Sequence, residues 1–379
     1  MKRIAGYLQN YAWGVPGGLQ GWCPAGIGAD AIDSQRPEAE LWFGAHRNGP
    51  SALLDHDGES LADVVDDDDV PLLIKILAAA QPLSIQIHPP MDQAQASYAR
   101  QVADPNLPKL LTDTLAKTEM LIAIEPFSVL AGFRAPTLAA AILRQTTDLA
   151  HPAADLLDEG NIVGAIEALL AIDPAQLGDL REPLLEAANQ AKLSHSAIEA
   201  LTSVLDNYPG DRGVLVSVLL DQRVLAAGEA VYVPAGVVHA YVRGTGVEVM
   251  TASDNVLRLG LTPKAIAVEQ ALAAVDQELQ PEFLAPAAIE VGGGASVRTY
   301  APVGAPFSVQ AVSEGSAVIT AGAYRLVLAV AGQASVASDS HTLNLDQGQA
   351  VAVLADDPEI TVTTSGVAYV TREQAIHEH

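Results

Sequence analysis

The sequence predicts a mainly β chain interrupted by one helical insertion. Three observations carry this reading. Short apolar segments bounded by Gly, Pro, Asn and Ser recur through both ends of the chain, with strands every eight to twelve residues after residue 213. Residues 135–206 switch to Ala, Leu, Glu and Gln, with apolar positions spaced by three and four. Leu83-Ser84-Ile85-Gln86-Ile87-His88-Pro89 alternates with the two-residue period of a strand. A chain of 379 residues can hold two or three domains with real cores. The expected division is a discontinuous β domain (1–134 and 207–275), a helical insertion (135–206) and a β-rich C-terminal domain (276–379).

Composition narrows the function. The net charge of −26 argues against nucleic acid and against anionic membrane surfaces, since phosphate neutralisation needs clustered Lys and Arg. Apolar residues make up 49%, yet no run is long enough for a membrane span, and the N-terminus lacks the apolar core of a signal peptide. Cys23 is the only cysteine, which excludes an intrachain disulfide and a thiolate zinc cluster. A cytoplasmic enzyme, monomeric or weakly homo-oligomeric, is expected. Any anionic substrate meets an unfavourable far field and needs its cations concentrated locally.

Taken in order, residues 1–60 carry turn signals (Pro16-Gly17-Gly18, Pro24, Gly26, Asn48-Gly49-Pro50) between short apolar pieces, and 39–44 reads as a strand. Asp66–Asp69 reads as a solvated loop, because calcium loops space their ligands around a glycine turn. Val70–His88 predicts two strands, the first containing Lys75. Helices are expected over 92–100 and 107–116, and a strand over 117–124. Within the insertion, 161–172 and 180–192 are helical, Pro174 and Pro183 mark helix starts, and His151 and His195 lie on the surface. Strands are expected at 214–220, 224–226, 230–233, 237–242 and 246–251, then a helix within 262–275. Gly228-Glu-Ala-Val-Tyr-Val233 resembles Gly348-Gln-Ala-Val-Ala-Val353, a hint of two related barrels of which the second lacks a following histidine.

Two stretches point to chemistry. Ser84, Gln86 and His88 share one strand face opposite Ile85 and Ile87; stiff ligands at fixed spacing suit a metal site, and a solvated edge strand is the bland alternative. Gly228-x5-Pro234-x-Gly236-x2-His239 places tight turns before a histidine-bearing strand. This spacing resembles the second motif of the cupin superfamily, small β-barrels that hold a metal inside. The first cupin motif is altered, with Gln86-x-His88 in place of His-x-His.

Longer motifs narrow the resemblance. Gln81–Pro89, Lys117-Thr-Glu119-Met120, Tyr208-Pro-Gly-Asp211, Pro234–Tyr241 and Ser253–Lys264 resemble type I mannose-6-phosphate isomerases. Asn10-Tyr-Ala-Trp13-Gly14 and Ala39–Gly44 do so as well. The resemblance runs in consistent order from about residue 9 to about residue 270. It implies a metal-binding cupin barrel followed by a degenerate C-terminal one. It also implies one zinc ion per chain held by Gln86, His88, Glu119 and His239. The implied reaction interconverts mannose 6-phosphate and fructose 6-phosphate through a cis-enediol, within mannose and GDP-mannose metabolism, with a phosphorylated hexose as partner. The family usually reads His-Lys-Pro-Glu where this chain has Ala116-Lys117-Thr118-Glu119.

Isomerisation needs a base, stabilisation of an oxyanion and a phosphate anchor. The resemblance makes Arg258 the enediolate stabiliser and Ser84 and Lys264 phosphate candidates. Lys75 and Lys117 add local positive charge near the proposed metal, Lys75 as a substrate- or phosphate-binding candidate and Lys117 as a catalytic one. Glu248 and Asp254 flank the same corner, and either is a candidate base or a residue that orients Arg258; Glu248 is favoured. Glu40, Trp13 and Trp42 read as structural. Two rival readings remain open: a non-haem iron oxygenase using His88, His239 and Glu119 as a facial triad, and a sugar-binding cupin without turnover.

Overall fold

The computed structural model describes residues 1–23, 35–56, 58–66 and 70–374. Pro24, Gly26 and most of the Asp66–Asp69 run lie outside the described residues. Two large antiparallel sheets dominate, and a helical segment inserted between two strands of the first covers one flank of it.

The sheet that carries the site runs in the order Glu282–Leu284, Ala230–Val233, Glu119–Ala123, His239–Thr251, Leu72–Ala79, Glu40–Phe43, Tyr7–Gln9. Its centre is the long strand His239–Thr251. Residues 244–251 pair with Leu72–Ala79, and 246–250 also pair with Glu119–Ala123. Its first residues pair instead with Phe127–Phe133, and His239 pairs with Gln86. The strand changes partners at Gly244, whose φ of +137° and close approach to Phe127 leave no room for a Cβ (2.7 Å). That turn folds a second layer, which contains Ile85–Ile87 and Leu257–Gly260, over the first.

Alternation decides what each layer faces. Ile74, Val249 and Met120 stand in one cross-strand row and join a core shared with Phe307, Leu326 and Ala350 of the C-terminal sheet. One residue on, Lys75 and Glu248 point the other way, toward the second layer. In that second layer Ile85, Ile87, Val238, Ala240, Leu257 and Leu259 pack with Ile142, Ile166, Leu169 and Leu201 of the helices. The polar alternates, Gln86, His239 and Tyr241, are left on the inner side. The site therefore lies between two layers, each backed by its own apolar core.

The helical insertion is present as Pro136–Thr146, His151–Asp158, Ile162–Ala171, Arg181–Gln190 and His195–Asn207. His151 and His195 are exposed. Pro174 opens a single short turn, and Pro183 sits within the first turn of its helix. The second sheet is built from Ser296–Tyr300, Phe307–Ile319, Ile360–Glu373, Arg325–Ala331 and Gln349–Val353, and the N-terminal strand Lys2–Ala5 extends it. Both copies of the suspected repeat start on a left-handed glycine (Gly228, φ +84°; Gly348, φ +81°) and run into a strand.

Three expectations are corrected. Residues 214–220 are not a strand: Gly213–Ser217 is a short helix, and the strand begins at Leu220. The run is buried throughout, so it carries no period, and Asp211 sets the turn by accepting from Gly213 N (2.7 Å) and Thr262 N (3.1 Å). Residues 107–116 form no helix, because side chains take the backbone partners that a helix would need. Gln101 Oε1 accepts from Leu110 N (3.0 Å), and Asn255 Oδ1 accepts from Thr112 N (2.9 Å). The helix expected within 262–275 is confined to Val268–Ala273.

Candidate metal centre and its pocket

Each ligand candidate is delivered by strand pairing. Gln86 lies opposite His239 on one side and Arg258 on the other, so the three share one stretch of the second layer. The corner Pro234-Ala235-Gly236 precedes His239; Gly236 has φ +97°, and its N–H donates to His88 O (2.9 Å), tying the two histidine segments together. Glu119 enters from the first layer, paired with Val233 and Met250.

His88, Glu119 and His239 form one buried cluster whose ligand atoms lie within 4.8 Å of one another. His88 Nε2 is 3.1 Å from Glu119 Oε2, and His239 Nε2 is 3.0 Å from Glu119 Oε1. The other ring nitrogens fix the tautomers. His88 Nδ1 lies 2.8 Å from Asn255 O, and His239 Nδ1 lies 3.0 Å from Val237 O. A carbonyl only accepts, so each Nδ1 bears the proton, and a neutral ring keeps its Nε2 lone pair turned to the carboxylate. Burial, then the Lys117 ammonium, pushes His88 down to about 4, so that ring is neutral near pH 7. Burial alone would raise the Glu119 carboxyl, but the Lys117 ammonium in contact with it holds it well below the usual range. The His88 lone pair thus faces an ionised carboxylate, and His239 Nε2 is a buried nitrogen without a hydrogen bond. Such a set asks for a cation. Lys117 Nζ supplies one locally, in contact with Glu119 Oε2 and 3.1 Å from His88 Nε2. The residues fit a metal, with carbonyl-anchored imidazoles of the kind metal sites use.

The pocket beside the cluster encloses about 50 Å³ and is lined by Glu40, Lys75, Ser84, Gln86, Lys117 and Glu248 among others. That space suits a cation and its water, and a hexose phosphate would have to extend into the open mouth. Gln86 donates through Nε2 to Ser84 Oγ (3.1 Å), which leaves its amide oxygen free of that bond. Across the pocket a row of three residues pairs in register, Trp42 with Lys75 and Lys75 with Glu248. Lys75 Nζ is 2.8 Å from Glu248 and 3.7 Å from Glu40, and it lies over the Trp42 ring at 5.2 Å. Burial works against its charge, yet Glu248 and Glu40 outweigh that and raise its pKa.

The other sequence candidates lie at different depths. Arg258 is half-buried beside Gln86 in the strand register, and its guanidinium has no hydrogen-bonding or ionic partner among the described residues. Lys264 is exposed and, among the described residues, likewise unpaired through its side chain. Asp254 does not line the enclosed pocket. It accepts from Asn48 Nδ2 (3.1 Å) and meets His46 Nε2 (3.2 Å), and that hydrogen bond to His46, more than any charge, lowers its pKa. Three further residues act here to which sequence reasoning assigns no part in the chemistry, reading Glu40 as structural. Glu40 lines the pocket, with Trp42 Nε1 donating to it (2.7 Å). Asn255 fixes His88 through its carbonyl. Tyr241 donates its hydroxyl to Glu119 Oε1 (3.0 Å).

A folded-over pair of β layers enclosing a two-histidine, one-carboxylate cluster defines a cupin-type metalloprotein. Comparison with known proteins makes this specific. A profile for "Phosphomannose isomerase type I, catalytic domain" matches residues 1–136. The mannose-6-phosphate isomerase of Escherichia coli is 30% identical over 405 residues, covering 97% of this chain and 98% of its own. The Homo sapiens mannose-6-phosphate isomerase is 29% identical over 69% of each chain. The structure of mannose 6-phosphate isomerase from Salmonella typhimurium bound to substrate and a zinc atom superimposes with a TM-score of 0.81, at 26% identity, over 99% of this chain and 100% of that one. The chain belongs to the type I phosphomannose isomerase family.

Proposed function

We infer that this protein is a zinc-dependent isomerase that interconverts mannose 6-phosphate and fructose 6-phosphate through a cis-enediolate. The observation that carries this is the buried His88–Glu119–His239 cluster, with both Nε2 atoms turned to one carboxylate, inside a chain that matches the Escherichia coli enzyme nearly end to end. Membership of this family sets aside the oxygenase and the non-catalytic readings. No described helix is long and apolar enough to cross a membrane.

We propose that Gln86, His88, Glu119 and His239 hold the zinc. A bound zinc ion supplies Lewis acidity to a carbonyl or hydroxyl oxygen. The remaining roles follow from where the side chains stand. Glu248 is the candidate base, buried at the pocket wall and aligned by the Lys75 ammonium 2.8 Å away. Proton transfer between C1 and C2 needs one carboxylate able to reach both carbons, and a carboxylate on a rigid central strand meets that need. Arg258, free of other partners among the described residues and on the strand beside Gln86, stabilises the enediolate oxygen. Lys117 reaches into the pocket from the metal side. Ser84 lines the pocket, and Lys264, exposed and unpaired among the described residues, is the candidate anchor for phosphate. Asp254, held by His46 and Asn48, belongs to the chain segment that carries Arg258. These cations meet the requirement set by the net charge of −26, that a phosphorylated substrate find its positive charge locally.

The division into a discontinuous site-bearing domain, a helical insertion and a C-terminal β domain is proposed on the same basis. The first two share one apolar core, and Lys2–Ala5 is paired to the third.

Turnover in deuterated water tests the chemistry. Recovered mannose 6-phosphate should carry deuterium at C2 and fructose 6-phosphate at C1. Complete retention of the substrate hydrogen with no solvent label would overturn the proton-transfer route.

A further inference from the structure

We propose that Tyr241 is a positioning residue for the metal: its hydroxyl fixes Glu119 through Oε1, so that the carboxylate is held facing the two imidazoles where the cation would sit. The inference rests on the zinc-site reading above and concerns how one ligand is held.

Four observations support it. Tyr241 follows His239 by two residues on the same strand, so both side chains face the pocket. Its ring has one seat, 4% exposed and edge-on to Phe127 at 5.7 Å with an 80° interplanar angle. The direction of its bond is settled by chemistry, because an ionised carboxylate only accepts and the phenol must donate. Finally, the two Glu119 oxygens are differently engaged. Oε1 receives the Tyr241 hydroxyl at 3.0 Å and lies 3.0 Å from His239 Nε2, whereas Oε2 faces His88 Nε2 and the Lys117 ammonium, the positive charge in contact with the cluster.

A carboxylate with one oxygen tied down cannot rotate freely, and it presents a fixed edge to a cation. Outer partners of this kind typically contribute about 10–100-fold to metal affinity. Tyr241 belongs to no ligand set and spans 122 residues of sequence to reach Glu119, so only the fold reveals the link.

The test is a double-mutant cycle read as zinc affinity, by competition with a chromophoric chelator, on the full chain and on Tyr241→Phe, Glu119→Ala and the double variant. Removing the hydroxyl should weaken zinc binding about 10–100-fold when Glu119 is present. In the Glu119→Ala background the same change should alter it less than about twofold, because the hydroxyl acts through that carboxylate. Thermal midpoints of the metal-free proteins are read alongside, and the Tyr241→Phe midpoint should match the parent. A change below twofold in the parent background, an equal loss in both backgrounds, or a midpoint loss that accounts for the affinity would overturn the proposal. A parent chain that takes up no zinc would overturn the site reading itself, a result separable from all of these.

Discussion

Replacing Lys75 with methionine should cost the protein a large part of its stability. The ammonium is 9% exposed and lies 2.8 Å from Glu248 and 3.7 Å from Glu40, both buried. At an effective dielectric near 20, Coulomb's law gives about 6 kcal/mol for the closer pair and about 4 kcal/mol for the other. Desolvation of three charges, at several kcal/mol each, offsets most of that gain, so the intact cluster is a modest net contributor. The variant is different, because methionine fills the space and leaves two carboxylates buried without a counter-ion. Breaking a buried pair in this way costs about 3–5 kcal/mol. Urea unfolding followed by circular dichroism measures the loss.

The pH dependence gives a second readout. Lys75 has its pKa raised by the fold, so its contribution is complete below the unfolded lysine value and constant across about pH 5–8. In Lys75→Met the two carboxylates bind protons more readily folded than unfolded, so the variant gains stability as pH falls, and the gap to the parent narrows. Comparing variant with parent cancels the His88 contribution. Adding Glu248→Gln to the variant should recover part of the loss. A loss below about 1 kcal/mol, or a gap that widens on acidification, would refute the reasoning.

Four further outcomes follow from the same structure. Arg258→Ala should leave thermal stability unchanged, since its guanidinium has no partner among the described residues, while lowering kcat about 10²–10³-fold if it stabilises the enediolate; steady-state kinetics and a thermal melt separate the two. Asn255→Ala should cost about 2–4 kcal/mol and weaken zinc binding, because its side chain satisfies Thr112 N, Asp113 O and Leu115 O. Metal-free protein should lose stability as pH falls from about 6.5 toward the depressed His88 value near 4, the window in which the unfolded imidazole protonates and the folded one resists. A flat stability profile across that window would contradict the buried neutral imidazole. Gly244→Ala should destabilise by more than about 1 kcal/mol, because both φ and the Phe127 contact oppose a Cβ.

Much of the site was legible because strand chemistry is periodic. The alternation around Gln86 and His88 told which residues share a face, and the glycine and proline corner before His239 told where a strand begins. Glu119 was reached only through the resemblance, since nothing local distinguishes it from other acids. Residues that hold these in place were silent for a physical reason. Tyr241 meets Glu119 across 122 residues, and Asn255 meets Leu115 across 140, so their partners depend on sheet order that no local pattern encodes. The Lys75–Glu248 pair depends on strand register, which a one-residue slip would abolish. The same limit explains the misread element over 214–220, where complete burial erased the period that separates helix from strand. It also explains 107–116, where a distant asparagine took over the backbone.

The most direct test of the central claim is fructose 6-phosphate formation from mannose 6-phosphate by the purified protein, assayed as isolated, after chelation and after zinc is restored. Activity should disappear with the chelator, return with zinc, and be absent from His239→Ala under the same zinc load. A protein fully loaded with zinc that turns over no mannose 6-phosphate would contradict the account.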